Sequence, residues 1–124
     1  MSDILTQLNP AQRKAAEHVG GPLLILAGPG SGKTKVIVHR VAYLLRTCGI
    51  NPQRIMTVTF TNKAARELIE RLNQLVSGYI NDLTVGTFHA ICSRILRLEG
   101  EAVKVNPRFV IYDSDDQLSI VKQA

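Results

Sequence analysis

Tryptophan is absent from these 124 residues, and the other aromatics are scarce, at three Phe and three Tyr. A surface built on broad aromatic stacking is therefore excluded, and any ring that meets a base must do so at one particular position. The two cysteines, Cys48 and Cys92, have no neighbours at metal-ligand spacing. They read as reduced thiols of a cytoplasmic protein. No apolar run approaches the roughly 18 residues that a membrane helix requires. The opening MSDILTQLNP is acidic and polar, unlike a secretory signal. The expectation is a cytoplasmic chain without a membrane partner. Internal repeats, low-complexity tracts and flexible linkers are missing too, so a single domain is expected.

Hydrophobic residues make up 45% of the chain, enough for a core of ordinary size. Lys and Arg number 15 against 10 Asp and Glu, a net charge of +5 that suits a polyanionic partner without requiring one.

Short apolar runs alternate with helix-like segments. Residues 22–27 (PLLILA), 55–60 (IMTVTF), 83–86 and 109–112 read as strands. Residues 33–47, 62–76, 88–98 and 115–122 read as helices. Alternation at these lengths implies βαβ units, hence an α/β fold with a parallel sheet flanked by helices on both faces. A further helix over residues 10–19 precedes the first strand. Asn9 suits its N-cap, Pro10 its first position and Gly20-Gly21 its left-handed end. In the helix at 62–76, Ala65, Leu68, Ile69, Leu72, Leu75 and Val76 share one face and predict a core stripe.

The segment Ala27-Gly28-Pro29-Gly30-Ser31-Gly32-Lys33-Thr34 follows an expected strand and opens an expected helix, the context in which a P-loop works. Glycines allow a tight turn whose backbone N–H groups converge as an anion nest. The helix N-terminus adds unpaired donors and a positive dipole end. Lys33 is placed for the β and γ phosphates of ATP, and the Thr34 hydroxyl for Mg²⁺. Ala27 stands where the stricter motif has Gly, a position that needs only a small residue.

Strand C-termini of a parallel sheet share one edge, where ligands bind. Two more junctions should lie on that edge: Thr59-Phe60-Thr61-Asn62-Lys63 and Gly86-Thr87-Phe88-His89. Lys63 falls in the first turn of its helix, where a cation opposes the dipole. A docked phosphate would remove the conflict. Phe60 and Phe88 could offer ring faces to bases. The plainer alternatives are core packing for Phe88, in register with Ile91, Ile95 and Leu98, and N-capping for Thr61 and Thr87.

These blocks together resemble the N-terminal part of superfamily 1 helicases of the UvrD/Rep/PcrA type. The resemblance runs from about Leu8 to the end. LNPAQ (8–12) is similar to the Q motif, AGPGSGKT to the Walker A, TFTNKAARE (59–67) to motif Ia, and VGTFHAICSRILR (85–97) to motif Ib. The final FVIYDSDDQLSIVKQ is similar to the segment before the family's inserted helical subdomain. The resemblance implies a RecA-like P-loop domain, part of a motor that moves on single-stranded DNA, usually 3′ to 5′, at the expense of ATP. It implies that Gln12 contacts adenine, although Gln12 also stands where a capping-box Gln belongs. Gly30, Gly32, Lys33 and Thr34 would hold the phosphates and Mg²⁺. Thr59, Phe60, Asn62, Thr87 and His89 would line the DNA path.

The family hydrolyses ATP with an Asp-Glu pair on a later strand, and no Asp-Glu step occurs here. The nearest mimic, Asp113 at the end of a hydrophobic run, is followed by Ser114. The 124 residues are thus expected to be part of motor domain 1A, cut before Walker B and inactive alone, with the other motor domains of the same polypeptide as partners. The alternative is a stand-alone nucleotide-binding module without hydrolysis. A small P-loop kinase would need an Arg-rich lid, which the sequence lacks.

Overall fold

In a computed structural model, described for all residues except 1, 2, 29, 31, 112, 113 and 124, the chain is an α/β protein. Its elements run α1 (Asp3–Thr6), α2 (Pro10–Glu17), α3 (Lys33–Arg46), β1 (Met56–Thr59), α4 (Asn62–Val76), β2 (Thr84–Thr87), α5 (Phe88–Glu99) and α6 (Ser114–Gln123), with three short 3-10 turns between them. Two compact units are distinguishable, residues 1–91 and 92–124.

In the first unit β1 and β2 pair in parallel, with Met56 opposite Thr84 and Thr59 opposite Thr87. Helix α4 connects them and packs over both strands, α3 lies against α4, and α1 and α2 pack on α3. The sequence explains α4 well. Thr61 caps it, its hydroxyl accepting from the Ala64 N–H at 3.1 Å. Ala65, Leu68, Leu72 and Val76 are buried, as the stripe predicts, whereas Ile69 lies at the rim. Leu68, Leu72 and Val76 join Val38, Val41, Ala42 and Leu45 of α3 and Ile4, Leu5 and Leu8 in one apolar cluster.

Two expected strands do not form. Residues 22–27 carry no ladder, and Leu24 and Leu26 are 83% and 89% exposed. Residues 109–111 are likewise without strand structure, and Tyr112 lies outside the described residues. A strand exists only where its N–H and C=O groups meet a neighbouring strand, which an apolar run does not supply by itself. Of the four runs, only the two joined by α4 pair with each other, so the described residues build a two-stranded sheet. Its cover is α4; the expected sheet with helices on both faces is not formed among the described elements.

Helix α2 also ends earlier than expected. It stops at Glu17, and His18 is extended. Gly20 and Gly21 do take left-handed φ values, +92° and +95°, but in the loop beyond rather than at the helix cap.

The second unit holds most of α5, a 3-10 turn and α6. At Gly100 a Cβ would come within 3.3 Å of Val105. Arg97 lies 4.4 Å from the centre of the Phe109 ring and donates to the Pro107 carbonyl at 3.1 Å. No residue of α6 is buried. Among the described residues no helix is long and apolar enough to cross a membrane.

Candidate functional site

The turn before α3 takes the backbone form its glycines permit. Gly30 has φ +76° and Gly32 φ +81°, both in the left-handed region that side chains disfavour. Gly32 is the N-cap of α3 and offers no side-chain cap. The first-turn amides of α3 therefore present an N-terminal donor set and a positive dipole end toward the turn. Lys33 is exposed and Thr34 half-buried at that end. Pro29 and Ser31 of the motif lie outside the described residues; Ala27 and Gly28 lead into the turn without strand pairing.

Helix α2 closes one side of this turn. Asn9 Oδ1 accepts from the Gln12 N–H at 2.8 Å, and Gln12 Oε1 accepts from the Asn9 N–H at 3.1 Å. The capping box read in the sequence is thus complete. The same Gln12 carboxamide reaches the turn: a Cβ on Gly32 would stand 2.7 Å from Gln12 Nε2. Capping and approach to the glycine turn are therefore combined in one side chain. Between α2, residues 25–28 and the start of α3 lies a cleft of about 470 Å³. Ile25, Leu26, Val36 and Ile37 form its apolar wall, and Asn9, Gln12 and Lys33 are its polar members. A concave apolar surface with few convergent polar groups suits a planar heterocycle joined to an anionic tail.

Two cations tie the N-terminal segment to α3, and neither stands out in the sequence. Lys35 Nζ donates to the Gln7 carbonyl at 2.8 Å. Arg40 Nη1 donates to the Ala15 carbonyl at 3.0 Å and to the His18 carbonyl. Neither contact leaves a local signal, because the partners are 22 to 28 residues away along the chain.

The other two junctions come together through the strand register. Thr59 faces Thr87, so β1 and β2 end level and the turns after them are neighbours. The rings of Phe60 and Phe88 lie 5.2 Å apart, tilted by 41°. Phe60 is 85% exposed and Phe88 47%. Phe88 is therefore not a core residue, although Ile91, one turn later, is buried. Asn62, Lys63 and His89 are exposed beside the rings. Thr61 and Thr87 both cap: Thr87 is buried, and its hydroxyl accepts from the Ala90 N–H at 3.1 Å. A Cβ on Gly86, opposite Val58, would stand 3.5 Å from Ile91 at the start of α5, in ordinary van der Waals contact.

Among the described residues, no three His, Cys, Asp or Glu side chains come together as a metal site. Asp113, the carboxylate considered from the sequence, lies outside them.

A sequence model of the UvrD/REP helicase N-terminal domain family matches residues 8–124. Over 98% of the chain it is 45% identical to the ATP-dependent DNA helicase PcrA of Bacillus subtilis. Over 97% it is 49% identical to a probable DNA helicase II homologue of Rickettsia conorii, and over 98% it is 43% identical to PcrA of Staphylococcus aureus. The chain spans only 16–18% of the length of these relatives.

Proposed function

Because this chain belongs to the UvrD/REP helicase N-terminal domain family, we propose that it is the ATP-binding part of motor domain 1A of an ATP-dependent DNA helicase. The observation that carries this reading is the approach of Gln12 to Gly32, which brings a base-recognising amide against the loop suited to phosphates. The phosphates sit on the first-turn amides of α3 with Lys33, cradled by residues 27–34, and the adenine enters the cleft beside Gln12. Mg²⁺ arrives with the nucleotide. A lone Thr34 hydroxyl fits it, since Mg²⁺ keeps several waters and takes the rest of its shell from phosphates and one or two protein groups. When bound, it neutralises charge on the β and γ oxygens. The motor fold is RecA-like.

Single-stranded DNA runs along the Phe60–Phe88 edge, with family polarity 3′ to 5′. Phe60 and Phe88 stack on bases. Asn62, Lys63 and His89 meet the backbone, with Thr59, Thr61 and Thr87 shaping the turns that present them. Hydrolysis belongs to the whole enzyme, with residues 1–124 supplying Lys33 and Thr34 but not the family's Asp-Glu pair.

Calorimetry with MgATP tests the nucleotide half. Lys33 is exposed and makes no packing contribution to lose, so Lys33→Ala should remove most of the binding without changing the melting temperature. Equal affinity in wild type and Lys33→Ala would refute the assignment.

A further inference from the structure

Gln12 matters to the proposed site only if α2 holds a fixed place beside α3, and the geometry shows what fixes it. Helix α2 has eight residues, too few to be stable alone, and its broadest helix contact is with α3. The two helices meet at two polar points. At one end Gln12 lies against Gly32. At the other, Arg40 Nη1 uses its two N–H groups on the carbonyls of Ala15 and His18, at the α2 C-terminus. Those carbonyls have no partner within the helix, and a cation there complements the dipole. Arg40 is half-buried, so the bonds are shielded from competing water. Gly32 and Arg40 are eight residues apart on α3, about 12 Å along its axis at 1.5 Å per residue. Ala15 lies one turn beyond Gln12 on α2.

From this geometry we infer that Arg40 is a positioning residue for adenine recognition. It clamps the C-terminus of α2 so that Gln12 is held in register over the phosphate loop. The inference rests on the reading of Gln12 as the adenine contact and extends it to a residue that touches no nucleotide. Without the clamp, the C-terminal end of α2 comes loose from α3, and the whole helix, carrying its capping box with it, rocks against the phosphate loop. The Gln12 amide then spreads over positions that no longer match the base, and misplacement on that scale is enough to lose recognition.

The test separates base from phosphate. Binding of ATP and of inorganic tripolyphosphate, each with Mg²⁺, is measured by calorimetry on the wild-type chain, Arg40→Ala, Arg40→Lys, Gln12→Ala and the Gln12→Ala/Arg40→Ala double variant. Arg40→Ala should weaken ATP binding about tenfold and leave tripolyphosphate unchanged. Arg40→Lys, which keeps a donor at the α2 C-terminus, should recover part of the loss. In the Gln12→Ala background, Arg40→Ala should have no further effect on the ATP-to-tripolyphosphate ratio, because both substitutions remove the same contact. Amide hydrogen exchange should quicken in α2 of Arg40→Ala while α4 stays protected. Equal weakening of both ligands by Arg40→Ala, or additivity in the double variant, would overturn the inference. If Gln12→Ala itself keeps the full ratio, the adenine reading fails and takes this inference with it. If Gln12→Ala loses the ratio and Arg40→Ala keeps it, Arg40 alone is eliminated.

Discussion

The Gln12 carboxamide nitrogen stands 2.7 Å from the point a Cβ on Gly32 would occupy. Gly32 also has φ +81°, so this position rejects a side chain on two counts. The atom it would meet is the end of a flexible chain and can move, so the left-handed backbone sets the larger part of the stability cost.

Gly32→Ala should therefore lower stability by about 1–2 kcal/mol, the cost of left-handed backbone for a residue with a Cβ. Gln12 must also swing off the loop, so the variant should lose ATP preference as well as stability. A urea titration and MgATP calorimetry on the same sample check both outcomes. A variant of unchanged stability would show that the turn adopts another form in solution.

Exposure should sort the leucines sharply. Leu72 is fully buried at the centre of the α3–α4 cluster, and Leu72→Ala should cost about 3 kcal/mol through lost burial and a residual cavity. Leu24, 83% exposed, has little to lose, and Leu24→Ser should stay within about 0.5 kcal/mol. Denaturant midpoints measured on the isolated chain decide this. A large cost at Leu24 would mean that residues 22–27 are packed as the strand their sequence suggests.

Contacts at the paired junctions should separate by their salt dependence. Weak oligo-dT binding should fall with added salt, because phosphate contacts release counterions. Lys63→Ala should reduce the slope of log K against log salt by about 0.7, one single-strand phosphate contact. Phe60→Ala should weaken binding by about 1–3 kcal/mol with the slope intact, as loss of a stacking platform does. Fluorescence anisotropy across a salt series reads both. Binding indifferent to the two substitutions would point to a diffuse basic surface.

Much of the local structure was legible in the sequence. The α4 stripe, the Asn9–Gln12 capping box, the parallel pairing of the two inner runs and the position of the glycine turn all depend on residues within a turn or two of each other, or on a short crossover. Periodicity and capping chemistry act at that range. What they gave for Thr61 and Thr87 as N-caps also agrees with the hydrogen bonds the two hydroxyls accept.

Sequence by itself determined the five helices from α2 to α6, though not α1 or the end of α2, and it also determined which turn needs glycine at positive φ and which family the motifs resemble. Only the tertiary structure decided the rest. Whether an apolar run becomes a strand depends on a partner for its backbone N–H and C=O groups, and residues 22–27 have none among the described residues, whereas 56–59 and 84–87 have each other. Whether Phe88 faces the core or the rim depends on the level at which β1 and β2 end. The closure of Arg40 onto Ala15 and His18 spans more than 20 residues of chain. No local pattern encodes that closure, because its energy exists only once α2 and α3 have packed.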